Sequence, residues 1–211
     1  SKGEYISALF FENPSADYTI LFSHGNAEDI FSSDGFTKES RDKGFNVFVY
    51  DYHGYGINKG KPSEQNSYED AETAYDYLIN DLKIAPEKII IFGRSLGGAI
   101  SIDLASRKKC GGLIAESTFT SAFRVLTHYR IYPFDKFNSL GKIKNVRCPV
   151  LFIHGKEDEV IPFWHSEILF AAANEPKFFF SLDNANHNNV SDIGGEDYFQ
   201  AIKDFANTLP K

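Results

Sequence analysis

The segment Lys88-Ile-Ile-Ile-Phe-Gly-Arg-Ser-Leu-Gly-Gly-Ala99 constrains the fold of this chain more than any other. A β-branched run leads into G-x-S-x-G and a helix-compatible stretch follows, and this strand-turn-helix setting turns a short pattern that recurs by chance into a nucleophile elbow. The sharp turn forces Ser95 into strained backbone geometry, while Gly93 and Gly97 let strand and helix approach where a Cβ would clash. Ser95 Oγ is then expected to point into a crevice.

An elbow of this kind needs a sheet around it. Runs that read as strands are Tyr5 to Phe11, Tyr18 to Ser23, Phe45 to Tyr50, Lys88 to Phe92, Gly112 to Ala115, Val150 to Ile153 and Lys177 to Leu182. Most are continuously apolar instead of alternating, as strands buried on both faces of a parallel sheet are. Helices are predicted from Ser67 to Leu82, with Ser67 and Asp70 as a capping box, and from Ser95 to Arg107, Trp164 to Asn174, Glu196 to Thr208 and Glu28 to Lys43. The alternation predicts one α/β domain over 1–211, an open and mostly parallel sheet with helices on both faces, whose ligands bind beyond the carboxyl ends of the strands.

Composition narrows the partners. A net charge of −7 opposes a broad grip on phosphate backbones, so no nucleic acid is expected. With 42% hydrophobic and 24% charged residues and no apolar run near the roughly 20 that span a bilayer, the chain reads as a soluble domain. Its two cysteines, Cys110 and Cys148, are too few for a disulfide framework and too widely spaced for a metal clip. They are expected to be buried fillers in a reducing compartment, which makes the expected location cytoplasmic. Ser1 lies close to the first predicted strand and the chain has no Met, so peripheral membrane association is expected only through a segment upstream.

A serine hydroxyl attacks only once a base takes its proton, and on this fold the partners follow in the order Ser, acid, His. Of six histidines, His24 and His53 come too early, and His128 and His165 fall in predicted helices, where a partly exposed structural role is expected. His154 closes a strand before a turn. His187, in the loop after the last strand, is the expected base; the competing reading is a loop histidine with local hydrogen bonds. The acid should leave the penultimate strand, where Glu157, Asp158 and Glu159 stand in a row. Asp158 is favoured, its neighbours being solvated, with Glu116 as the alternative; the acid would hold the tautomer of His187 and stabilise its imidazolium.

Two backbone donors should face the developing oxyanion. Leu96 N–H follows the nucleophile, and Asn26 N–H is expected to be aimed inward by a turn at Gly25, with Ala27 as the fallback. A simple strand-to-helix turn with Asn26 as N-cap is the competing reading. Asp51-Tyr-His-Gly-Tyr-Gly56 reads as a tight structural loop without chemistry.

The whole chain resembles the ABHD-type α/β-hydrolases, in the branch that includes protein depalmitoylases and relatives of unassigned substrate. The blocks that carry the resemblance are Ser23-His-Gly-Asn-Ala27, Asp51 to Gly56, Gly93-Arg-Ser-Leu-Gly-Gly98, His154-Gly-Lys-Glu-Asp158 and His187-Asn188. It implies Ser95, Asp158 and His187 as a triad, and hydrolysis of an ester or thioester through an acyl-enzyme, without metal or organic cofactor. Two positions depart from the pattern: His53 stands where relatives often carry Arg, and Asn189 where many carry Asp. The elbow looks closer to the relatives of unassigned substrate.

A short lid is expected at about 119–146. Phe119, Phe123, Tyr129, Tyr132, Phe134 and Phe137 would offer apolar walls to a medium or long acyl chain, with Ile161 beside them, or would only fasten the lid to the body. The expected substrate is an ester or thioester, on an acylated protein or a lipid. A serine peptidase and a catalytically silent binding protein are the alternatives.

Overall fold

The structure, a computed structural model, describes residues 5–127 and 135–210. Its sheet has seven strands in the order β1-β3-β2-β4-β5-β6-β7. These are β1 (Ala8–Phe11), β2 (Thr19–Ser23), β3 (Asn46–Tyr50), β4 (Ile89–Arg94), β5 (Gly112–Glu116), β6 (Val150–Gly155) and β7 (Lys177–Leu182). Only β1 runs antiparallel, against β3; the other neighbours pair in parallel. The helices are α1 (Asp34–Asp42), α2 (Glu64–Asn80), α3 (Leu96–Arg107), α4 (Ala122–Thr127), α5 (Ser139–Ile143), α6 (Trp164–Ala172) and α7 (Val190–Asn207).

The continuously apolar strands divide by their two-residue period. Leu21, Phe48, Ile91, Leu113 and Phe152 face a core layer that contains Ala71, Leu78, Ile100 and Leu169 of α2, α3 and α6. Their neighbours Ile20, Val49, Phe92, Ile114 and Ile153 face the opposite layer, built on Tyr198, Ile202 and Phe205 of α7. Burial on both faces is therefore the reason these runs do not alternate in sequence. Among the described residues no helix is long and apolar enough to cross a membrane.

Several boundaries differ from those expected. α2 starts one turn earlier than the apolar stripe suggests, because its first residues Glu64, Gln65 and Asn66 are polar; its cap is Ser63, whose Oγ accepts from Asn66 N–H at 3.0 Å. Ser67 and Asp70 are thus no capping box: both are buried inside the helix, and Asp70 accepts from the backbone N–H of His53 at 2.8 Å and from His53 Nδ1. α1 begins at Asp34 instead of Glu28, since Asp29 folds into a turn with Ser32 and Ser33. α7 begins at Val190, and the left-handed Gly195 (φ 47°) breaks it where the sequence suggested a start. β1 is shorter than Tyr5 to Phe11. The two cysteines are free thiols, Cys110 buried and Cys148 half-buried, with Sγ atoms 3.2 Å apart.

Candidate active site

Ser95 joins β4 to α3 with φ 56° and ψ −116°, a region that favours glycine. Flanking bonds hold it there: Ser95 N–H donates to Glu116 O at 2.9 Å, and Thr118 Oγ1 donates to Ser95 O at 2.8 Å. A Cβ on Gly93 would stand 2.0 Å from Gly97 O, and one on Gly97 would stand 1.9 Å from Ser23 O. Strand and helix meet this closely only because both residues are glycine.

Three side chains from separate strand ends converge at this turn. His187, in the loop between β7 and α7, has Nε2 3.1 Å from Ser95 Oγ and Nδ1 2.7 Å from Asp158 Oδ2. An ionised carboxylate only accepts, so Nδ1 carries the proton and Nε2 is left to accept from the serine hydroxyl. Asp158 leaves the end of β6, with its side chain out of contact with solvent. Its Oδ1 accepts the N–H groups of Val160 (2.9 Å) and Ile161 (2.7 Å). Burial pushes the Asp158 carboxyl up, but hydrogen bonds from His154, His187 and the Ile161 N–H outweigh it and hold the group well below the usual carboxylate range.

His154 contributes in a way the sequence did not signal beyond its place four residues before Asp158. Its Nε2 lies 2.8 Å from Ile161 O and 3.1 Å from Asp158 Oδ2, two acceptors, so Nε2 is the protonated nitrogen and Nδ1 accepts from Ser166 Oγ. Asp158 Oδ2 thus faces two imidazoles of opposite tautomer. Glu116, the alternative acid, does not reach His187: it is buried and accepts from Tyr198 OH at 2.5 Å, and burial raises its carboxyl despite the nearby Arg94. Glu157 and Glu159 are exposed, as expected.

The loop after β2 carries Asn26 to the mouth of the site. Its left-handed residue is Ala27 (φ 61°), not Gly25. Gly25 is small for another reason: a Cβ there would meet the Glu28 carboxylate at 3.2 Å. Among the described residues, the backbone N–H groups of Asn26 and Leu96 take no partner within the protein, and both residues line the same groove as Ser95. Asn26 is held from the side by Tyr55 OH, which donates to its Oδ1 at 2.6 Å. Asp51 to Gly56 is a tight loop in which a Cβ on Gly56 would fall 2.0 Å from Asp51 Oδ2, and Tyr52 OH donates to His24 O at 2.8 Å.

The groove encloses about 440 Å³ and is walled by Leu96, Phe119, Ala122, Val125, Phe137 and Ile161. Phe119 and Ile161, the expected acyl-chain walls, both line it. Phe123 is not a wall: Ala122 and Val125, one helical turn apart, face the groove, while Phe123 N–H donates to Asp135 Oδ1 at 3.2 Å. Phe134, Tyr129, Tyr132 and His128 lie outside the described residues. His165 is fully buried instead of partly exposed: its Nδ1 accepts from Thr120 N–H at 3.1 Å and ties α6 to the segment that follows β5. Asn189 Oδ1 accepts from Asn186 N–H at 2.7 Å and so braces the His187 loop with its amide oxygen, as a carboxylate could.

A family model described as serine aminopeptidase S33 matches residues 14–133. Human alpha/beta hydrolase domain-containing protein 17B is 41% identical over 209 residues, which covers 97% of this chain and 72% of the relative. Protein 17C of Xenopus laevis is 38% identical over 208 residues, covering 97% of this chain and 66% of that protein. Among solved structures, a monoacylglycerol lipase from Paleococcus ferrophilus superposes with a TM-score of 0.76 at 20% identity, over 96% of this chain and 98% of that one. An esterase from Pyrococcus furiosus does so at 0.80 and 18%, over 97% and 87%.

Proposed function

The chain belongs to the α/β-hydrolases, in the family described as serine aminopeptidase S33, and on that premise we propose that it is a serine hydrolase cleaving carboxylic esters or thioesters through an acyl-enzyme on Ser95. The observation that carries this reading is the position of His187, between Asp158 at 2.7 Å and Ser95 at 3.1 Å with only Nε2 free to accept a proton. His187 Nε2 takes the Ser95 proton as Oγ attacks the acyl carbon, and the Asp158 carboxylate stabilises the imidazolium without becoming protonated. The oxyanion forms between the N–H groups of Asn26 and Leu96. As the tetrahedral intermediate collapses, His187 returns the proton to the departing alkoxide or thiolate. Water then attacks the acyl-enzyme with His187 as base again.

The apolar wall of Phe119, Ala122, Val125, Phe137 and Ile161 suits a medium or long acyl chain, and the groove's volume lies within the roughly 300–1,000 Å³ common for small-molecule sites. An acylated protein or a lipid would both present such a chain. The family description raises a second reading, amide hydrolysis by the same groups, since serine peptidases use the same triad. Matched thioester, ester and amide substrates over a series of acyl lengths separate these. Turnover rising with chain length on the ester or thioester supports the proposal; activity confined to acetyl esters, or a preference for the amide, counts against it.

A further inference from the structure

The loop that carries Asn26 is closed by its own sequence. Glu28 Oε2 accepts the N–H of Gly25 at 2.8 Å, so a carboxylate three residues on folds back over Asn26 and the left-handed Ala27. The other oxygen of the same carboxylate, Oε1, accepts Arg94 Nη2 at 2.7 Å. Arg94 is the last residue of β4, its backbone paired with Glu116 of β5, and its next neighbour is Ser95. The guanidinium also lies over the ring of Phe22, 6.0 Å from the centroid. One ion pair therefore ties the segment bearing one N–H donor to the strand end that bears the nucleophile and the other donor.

From this juxtaposition we infer that Glu28 and Arg94 are positioning residues, a clamp that sets the distance between the Asn26 and Leu96 N–H groups and so the fit of the oxyanion hole. The inference rests on the serine-hydrolase reading above. Neither side chain lines the groove, whereas Asn26, Ser95 and Leu96 do. The pair is half-buried, with side chains 23% and 27% exposed and Arg94 packed over the core ring of Phe22, so its loss also costs some stability and the kinetic readouts below separate positioning from a purely structural role. A carboxylate receiving a backbone N–H on one oxygen and a guanidinium on the other is held by two charge-assisted hydrogen bonds, which fix geometry as well as add energy. Oxyanion donors act by being preorganised, and misplacement of the order of 1 Å can lower a rate by about a hundredfold.

The test uses Arg94→Gln, Arg94→Lys, Glu28→Gln and the Arg94→Gln/Glu28→Gln pair. Three quantities are measured: kcat and KM on a p-nitrophenyl ester, inhibition by an alkyl trifluoromethyl ketone that forms a tetrahedral adduct, and hydrogen exchange of the peptide spanning residues 24–30. Expected are a fall in kcat of about 10- to 100-fold with KM within about twofold, and weaker ketone binding by a similar factor. Arg94→Lys should restore part of the loss, and the double variant should do no more harm than the worse single one, since both changes break one clamp. Faster exchange in residues 24–30 is expected in every variant except Arg94→Lys. Folded variants with kcat within twofold of the native enzyme, an effect on KM alone, or additive losses would overturn the clamp. Should the native protein show no Ser95-dependent turnover, the serine-hydrolase reading itself fails; exchange in residues 24–30 unchanged by the substitutions then also removes the clamp.

Discussion

Asp158 Oδ2 lies 2.7 Å from His187 Nδ1 on a carboxylate that has no solvent contact of its own. Because the other oxygen is taken by two backbone N–H groups, the carboxylate cannot turn to offer His187 a different atom without breaking both. Asp158→Asn would place an amide opposite Nδ1, where its NH2 favours the wrong tautomer, and kcat is expected to fall by roughly 10⁴-fold. Glu116→Gln, at the alternative acid, is expected to leave kcat within about threefold, because Glu116 faces Tyr198 and not His187. Steady-state kinetics on one ester for both variants decide the assignment.

The same bonds give Asp158 a pH signature. Its folded-state carboxyl is held below its ordinary value, so it binds fewer protons folded than unfolded near pH 4 and its contribution is fully present above the unfolded value of about 3.9. That contribution is lost as pH falls through the folded value. Urea midpoints measured between pH 6 and pH 3 should therefore fall less steeply for Asp158→Asn than for the native chain. Equal slopes would mean that His154 and His187 do not hold this carboxylate as described.

Gly97→Ala tests the packing beneath the elbow. The added Cβ would stand 1.9 Å from Ser23 O, a backbone atom that cannot swing aside, and destabilisation of about 3 kcal/mol or more is expected. Denaturant unfolding measures it directly. A loss below about 1 kcal/mol would show that α3 can shift on β2.

Val125→Trp tests the groove. Val125 lines the wall with Phe119 and Ala122 and takes no part in the hydrogen bonds that join Ser95, His187 and Asp158. The bulkier ring should lower kcat/KM on octanoyl and longer esters by at least about tenfold, or about 1.4 kcal/mol, while acetyl ester hydrolysis changes little. A uniform loss at every chain length would place the acyl chain elsewhere.

What could be read from the sequence follows from how local each signal is. The elbow announces itself because Gly93, Ser95 and Gly97 must sit within five residues of one another on the chain. The central strands β2 to β6 are readable because both faces are buried, so their residues are mostly apolar in an unbroken run. The cap of α2 was misplaced because Ser63 precedes three polar residues that hide the start of the helix. Asp158 and His187 could be proposed from their places after β6 and β7, although they lie 29 residues apart. The pairing of Glu28 with Arg94, 66 residues apart, leaves no local trace, since an arginine beside a nucleophile and a glutamate after a turn are unremarkable until the sheet brings them together. Likewise the choice of Ala122 and Val125 over Phe123 depends on the rotation of α4, which six residues of sequence do not determine.

The most direct measurement is intact mass after incubation with a fluorophosphonate, for the native chain and for Ser95→Ala. One covalent adduct on the native protein and none on the variant is the expected result, because His187 Nε2 stands 3.1 Å from Ser95 Oγ with its accepting lone pair free. No adduct on folded native protein, or an adduct that persists in Ser95→Ala, would contradict an activated Ser95 and with it the proposed chemistry.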